Sequence, residues 1–176
     1  MAGVEARFSS GRKASTEDDH VALNIGQKAP GFRLSSGPGQ DVDVGELIGS
    51  EKVLLLFFPL AFSPVCTAEM CQMAEDWRKW EEIGANVFGI SVDSMYALQR
   101  FREDEKIPFP LLSDFNRTAA RAYDVLYEDF YGMEGVAKRS AFVVDSSGSI
   151  AYSWSTDDAS VQPDYDDVRA AVVAAL

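Results

Sequence analysis

The chain has 176 residues, 47% of them hydrophobic, which suits one domain with a single well-packed core. Its 28 acidic against 16 basic residues leave a formal charge of −12, which repels phosphate backbones and anionic lipid headgroups and excludes nucleic acid and membrane surfaces as natural partners. Two cysteines and one histidine are too few for a secreted disulfide framework or a zinc site, and a reducing, cytoplasmic setting fits that usage.

Residues 1–20 are rich in Ser, Gly and charge and lack the apolar stretch of a signal peptide, so they read as a flexible extension before a domain over residues 21–176. Residues 32–34 and 41–44 are short extended candidates on either side of a turn-forming Ser-Ser-Gly-Pro-Gly stretch, an opening hairpin. The longest apolar run, residues 53–62, is interrupted by Pro59 and falls well short of the ~20 apolar residues that span a bilayer. Residues 52–58 lack alternation, as a strand covered on both faces does. From residue 64 to 83, Val65, Met70, Met73, Trp77 and Trp80 recur at helical spacing, and Gly84 ends that helix.

Residues 86–91 read as the next strand and 94–106 as a helix closed before Pro108. A short extended piece at 110–113, a short helix at 117–123, a hairpin of 141–145 with 150–154 and a closing helix from 164 complete the order. The alternation followed by a terminal hairpin indicates an α/β protein with a mixed sheet. Trp77, Trp80 and Trp154 read as core or interface aromatics, and Asp157, Asp158, Asp164, Asp166 and Asp167 as solvated loop and helix-start carboxylates.

The segment with chemical content joins the buried strand to the long helix. Pro59 stops the strand, Ser63 suits the N-cap and Pro64 the first helical position, which places Cys66 in the first turn. There the unpaired N–H groups and the positive end of the helix dipole favour a thiolate over a thiol, which makes the sulfur nucleophilic. Position alone leaves two readings open, a reactive cysteine and a small packed thiol. Cys71 follows five residues later, so on an ideal helix the two Cα atoms lie ~8.7 Å apart, beyond the ~7 Å that a disulfide bridges. Bonding between them requires local unwinding.

Pro59-x-x-x-Ser63-x-x-Cys66 resembles the active-site signature of the peroxiredoxins, Pro-x-x-x-Thr/Ser-x-x-Cys. Residues 138–145, beginning Lys138-Arg139-Ser140, look like that family's arginine-containing strand, and residues 21–34 and 89–93 are similar to its amino-terminal segment and to the strand end after its first helix. The segment from Pro59 to Met70 looks most like the alkyl hydroperoxide reductase E subgroup. The Cys66-to-Cys71 spacing is instead similar to the Q subgroup, the bacterioferritin comigratory proteins.

The resemblance implies a thioredoxin-like fold, a central mixed β-sheet flanked by helices, and a thiol-dependent peroxidase. Hydrogen peroxide and alkyl hydroperoxides are reduced through a cysteine sulfenic acid, with no metal, haem or flavin. Cys66 is then the attacking nucleophile, and Arg139 holds the thiolate and the peroxide. Ser63 donates its hydroxyl to either, and Pro59 shapes the loop. Glu69 orients Arg139 or simply stabilises the first helical turn. Cys71 resolves the sulfenic acid, or an external thiol does so: thioredoxin, a glutaredoxin-like protein or a low-molecular-weight thiol. A homodimer or larger homo-oligomer, with Phe62 and the Trp side chains on the shared surface, is the expected assembly. The competing reading is a thioredoxin-like redox sensor or binding protein without significant peroxidase turnover.

Overall fold

The structure, a computed structural model, describes residues 22–175; the extension expected over residues 1–20 lies outside them. Among the described residues, seven strands form one mixed sheet in the order β2-β1-β5-β4-β3-β6-β7. Its centre is β3 (Val53–Phe57), paired in parallel with β4 (Asn86–Ser91) and antiparallel with β6 (Arg139–Val144). β5 (Leu111–Ser113) continues the parallel set beyond β4, and the hairpin β1 (Arg33–Gly37) with β2 (Gln40–Asp43) closes that edge. β7 (Ile150–Thr156) pairs with β6 at the other edge.

The unbroken apolar run has the cause read from the sequence. All five residues of β3 are buried, with Leu54 and Leu56 in one core and Val53, Leu55 and Phe57 in the other, because successive side chains leave opposite faces of a strand. Each such side chain contributes on the order of 2 kcal/mol relative to exposure. The first core is covered by α1 (Pro64–Glu75), α2 (Trp77–Glu82), α3 (Met95–Asp104) and α5 (Tyr165–Ala174), the second by the short α4 (Thr118–Ala122) and the first hairpin. Gly89 lies where β4 passes close to β5: a Cβ there would stand 2.5 Å from the end of the Leu111 side chain, which would have to move.

Two elements differ from the sequence reading. The opening hairpin turns more tightly: β1 runs on to Gly37 and β2 starts at Gln40, leaving Pro38 and Gly39, the latter at φ +70°, as a two-residue turn. The helix expected over 64–83 is two helices, broken at Asp76. The Asp76 carboxylate is drawn to Lys79 Nζ at 2.6 Å and faces Arg169 of α5 at 3.8 Å. Its backbone carbonyl accepts from Lys79 N–H, a tightened turn that resets the axis. Trp77 then stacks on Phe109, and Trp80 is buried in a T-shaped contact with Tyr165. Trp80 is thus a core residue and cannot form part of an association surface, while Trp77 is partly buried against the same core.

Candidate active site

β3 delivers the chain to the site, and β4 clamps the loop after it. Phe58 N–H donates to Ile90 O at 3.0 Å, Pro59 is buried, and Ala61 N–H donates to the Asp93 carboxylate at 2.7 Å. Ser91 hydroxyl, at the end of β4, donates to the same Asp93 oxygen at 2.8 Å. Phe62 then takes φ +62°, a left-handed conformation that costs a non-glycine residue on the order of 1 kcal/mol, with its ring 4.9 Å from Phe101.

Ser63 is the N-cap residue in an extended conformation, and Pro64 opens α1. The Ser63 hydroxyl does not cap the helix. It donates back to Leu60 O at 2.9 Å, while the Ser63 carbonyl accepts from Thr67 N–H at 2.9 Å. Cys66 is therefore the third helical residue, before the first residue with an intrahelical N–H bond. Its side chain points into the first core and is 1% exposed.

Arg139 starts β6 and, on the same sheet face as Ala141 and Val143, reaches the cysteine on the side that α1 covers. Its Nη2 lies 3.3 Å from Cys66 Sγ, Nη1 pairs with one oxygen of Glu69, and Nε and Nη2 donate to Ala159 O at 3.2 and 2.9 Å. The other Glu69 oxygen accepts from Tyr165 hydroxyl at 2.7 Å. Glu69 and Arg139 are each 1% exposed, so this is a dry ion pair in a space where a charge without a partner is costly. Burial pushes the Glu69 carboxyl above the ordinary glutamate range, against the downward pull of Arg139 and Tyr165. For Arg139, burial works to lower the pKa, but Glu69 and Cys66 outweigh it and the guanidinium is held more firmly charged.

The structure thus brings Cys66, Glu69 and Arg139 into direct contact, and sets Pro59 and Ser63 in the loop that leads into α1. It does not bring Cys71 to them. Cys71 lies on the continuous helix α1, partly exposed, with its thiol donating to Glu105 at 3.4 Å. Burial, then the hydrogen bond and charge of Glu105, push that thiol up. Two contributors are absent from the sequence reading, Tyr165 and the Ala159 carbonyl. Tyr165 sits 96 residues from Glu69 beside helix-start carboxylates, and nothing in its local pattern announces a partner.

A family model described as the AhpC/TSA family matches residues 25–153. The chain belongs to the AhpC/TSA family. It is a peroxiredoxin, a thiol-dependent peroxidase. A Coxiella burnetii protein bearing the bcp name is 34% identical over 140 residues, covering 76% of this chain and 89% of that protein. The peroxiredoxin Bcp of Bacillus subtilis is 31% identical over 140 residues, covering 76% and 86%. The crystal structure of peroxidoxin BcpB from Mycobacterium tuberculosis superposes with a TM-score of 0.75 at 27% identity, covering 86% of this chain and 97% of that one. These relatives carry the name of the subgroup that the Cys66-to-Cys71 spacing resembles.

Proposed function

We propose that this peroxiredoxin works through Cys66, with Arg139 as its electrostatic partner and Glu69 as the anchor of Arg139. The observation that carries this reading is the 3.3 Å approach of Arg139 Nη2 to Cys66 Sγ in the first turn of α1. The thiolate attacks one peroxide oxygen: the S–O bond forms as the O–O bond breaks, and the departing oxygen leaves as water or an alcohol once it takes up a proton. Charge moves from sulfur to that leaving oxygen, and a guanidinium already beside the sulfur stabilises both ends of the shift. Cys66 is left as a sulfenic acid, the first rung of cysteine oxidation.

A second thiol then attacks the sulfenic sulfur, releases water and forms a disulfide, which a further thiol of the reductant opens to restore Cys66. In this conformation an external thiol is the resolving partner. Helix α1 runs unbroken through both cysteines, Met70 between them is buried, and Cys71 is held as a protonated thiol on Glu105. The Cys71 route requires α1 to unwind. Phe62, Tyr96 and Phe115 are exposed just after the carboxyl ends of the parallel strands β3, β4 and β5, and they support a homodimer built on that face. A cytoplasmic location fits, and among the described residues no helix is long and apolar enough to cross a membrane.

The test is the intact mass of the reduced protein after one equivalent of hydrogen peroxide, with a sulfenic-acid trap present. A gain of one oxygen that the trap captures, abolished by Cys66→Ser and kept by Cys71→Ser, is the expected result. Loss of two hydrogens that requires both cysteines makes Cys71 the resolving thiol. No reaction within minutes makes Cys66 a packed structural thiol.

A further inference from the structure

Both groups that hold Arg139 from behind come from the chain after β7. The Ala159 carbonyl accepts from its Nε and Nη2, and Tyr165 reaches it through Glu69. The family match ends at residue 153, so neither lies in the stretch shared with the family model.

The placement of Tyr165 is fixed locally. It is the first residue of α5, whose N-cap, Asp164, accepts from the N–H groups of Asp166 and Asp167 at 2.9 and 3.3 Å. The ring is buried in a T-shaped contact with Trp80, and Trp80 is covered in turn by the guanidinium of Arg169. A phenylalanine would fill this volume equally well. The hydroxyl, 2.7 Å from Glu69, is what core packing does not require.

Glu69 has one oxygen for each neighbour, Arg139 from β6 and Tyr165 from α5, with Cys66 on its own helix beyond the guanidinium. A carboxylate held by Arg139 alone has its orientation set by that one contact. Held by two, it is a fixed post.

We propose that Tyr165 is a positioning residue of the peroxide reaction, acting through Glu69 to keep the Arg139 guanidinium against Cys66 Sγ, so that docking of α5 completes the active site. This deepens the Cys66 reading and rests on it for its kinetic consequence.

Glu69 sets the direction of the pH effect. Tyr165 is one of the groups that hold this buried carboxyl in its charged form, so without the hydroxyl Glu69 takes a proton at higher pH and releases Arg139 there. The experiment compares Tyr165→Phe, Glu69→Gln and the double variant on a Cys71→Ser background. It reads the second-order rate with hydrogen peroxide against pH, and the titration of the Glu69 carboxyl by difference infrared against Glu69→Gln.

Tyr165→Phe is expected to slow the neutral-pH reaction about three- to tenfold, the scale of one ordinary net hydrogen bond, since its effect reaches Cys66 only through Glu69 and Arg139. The acid fall-off and the infrared titration should both move to higher pH, and Tyr165→Phe should add nothing once Glu69 is Gln. An unmoved infrared titration and pH profile, or equal losses on both backgrounds, reduces Tyr165 to a core aromatic and overturns the proposal. If the parent protein fails to react with peroxide, the Cys66 reading fails, while the infrared titration still decides whether Tyr165 governs Glu69.

Discussion

Arg139 uses three nitrogens on three partners, Ala159 O, the Glu69 carboxylate and Cys66 Sγ. A lysine offers one point charge in place of this planar fork, so it can keep the salt bridge or the sulfur contact but not the whole arrangement. Arg139→Lys is expected to lower the rate of Cys66 with hydrogen peroxide by roughly 100-fold, as loss of one donor to a developing oxyanion does, and stopped-flow fluorescence checks it. The motif around Cys66 was readable because a proline, an N-cap serine and a cysteine in the first turn are neighbours in sequence. Ser63 shows the limit of that reading. It is the N-cap residue, yet its hydroxyl turns to the Leu60 carbonyl, a choice set by the fold of the 59–62 loop.

Helix α1 keeps Cys71 apart from Cys66 in this conformation. Cys66, Met70 and Met73 bury one side of it against β3, while Cys71 stands on another side under Glu105. Met70→Ala removes a fully buried side chain in the turn between the cysteines and should cost about 2–5 kcal/mol. Unwinding becomes easier by that amount. The expected outcome after peroxide is a larger share of Cys66–Cys71 disulfide and less trapped sulfenic acid than in the parent, read by intact mass. An unchanged product ratio together with lowered stability means that opening of this turn does not limit disulfide formation. The periodicity of 64–83 predicts one helix because apolar spacing is blind to Asp76, whose partners Lys79 and Arg169 sit on different elements.

Over the whole molecule, buried tyrosines tie the two cores to pH. Tyr123, among Phe32, Phe57 and Phe142, donates to Pro30 O at 3.0 Å and is pushed up by burial. Tyr127 is raised by burial to about 12, and Tyr165 lies well above the ordinary range for the same reason, with Glu69 adding to it. A tyrosine that holds its proton more tightly when folded adds stability in full below the unfolded value and loses it as pH rises. For Tyr127 that loss runs from the ordinary value of 10.0 to about 12. The guanidinium midpoint of unfolding should therefore fall across this interval, and less steeply in Tyr127→Phe. A flat midpoint there would contradict the burial of these hydroxyls in solution.

The α/β class, the buried central strand, the terminal hairpin and the placement of Cys66 in a first helical turn were legible in the residue order, because each depends on residues within a few positions of one another. It also indicated Arg139 and Glu69, through a motif and through one turn of helix. Tertiary packing was needed to show that Arg139 on β6 touches Cys66, that Glu69 is shared between Arg139 and Tyr165, and that Cys71 faces Glu105. These contacts join positions from 34 to 96 residues apart, and no local spacing encodes which distant side chains a packed core brings together.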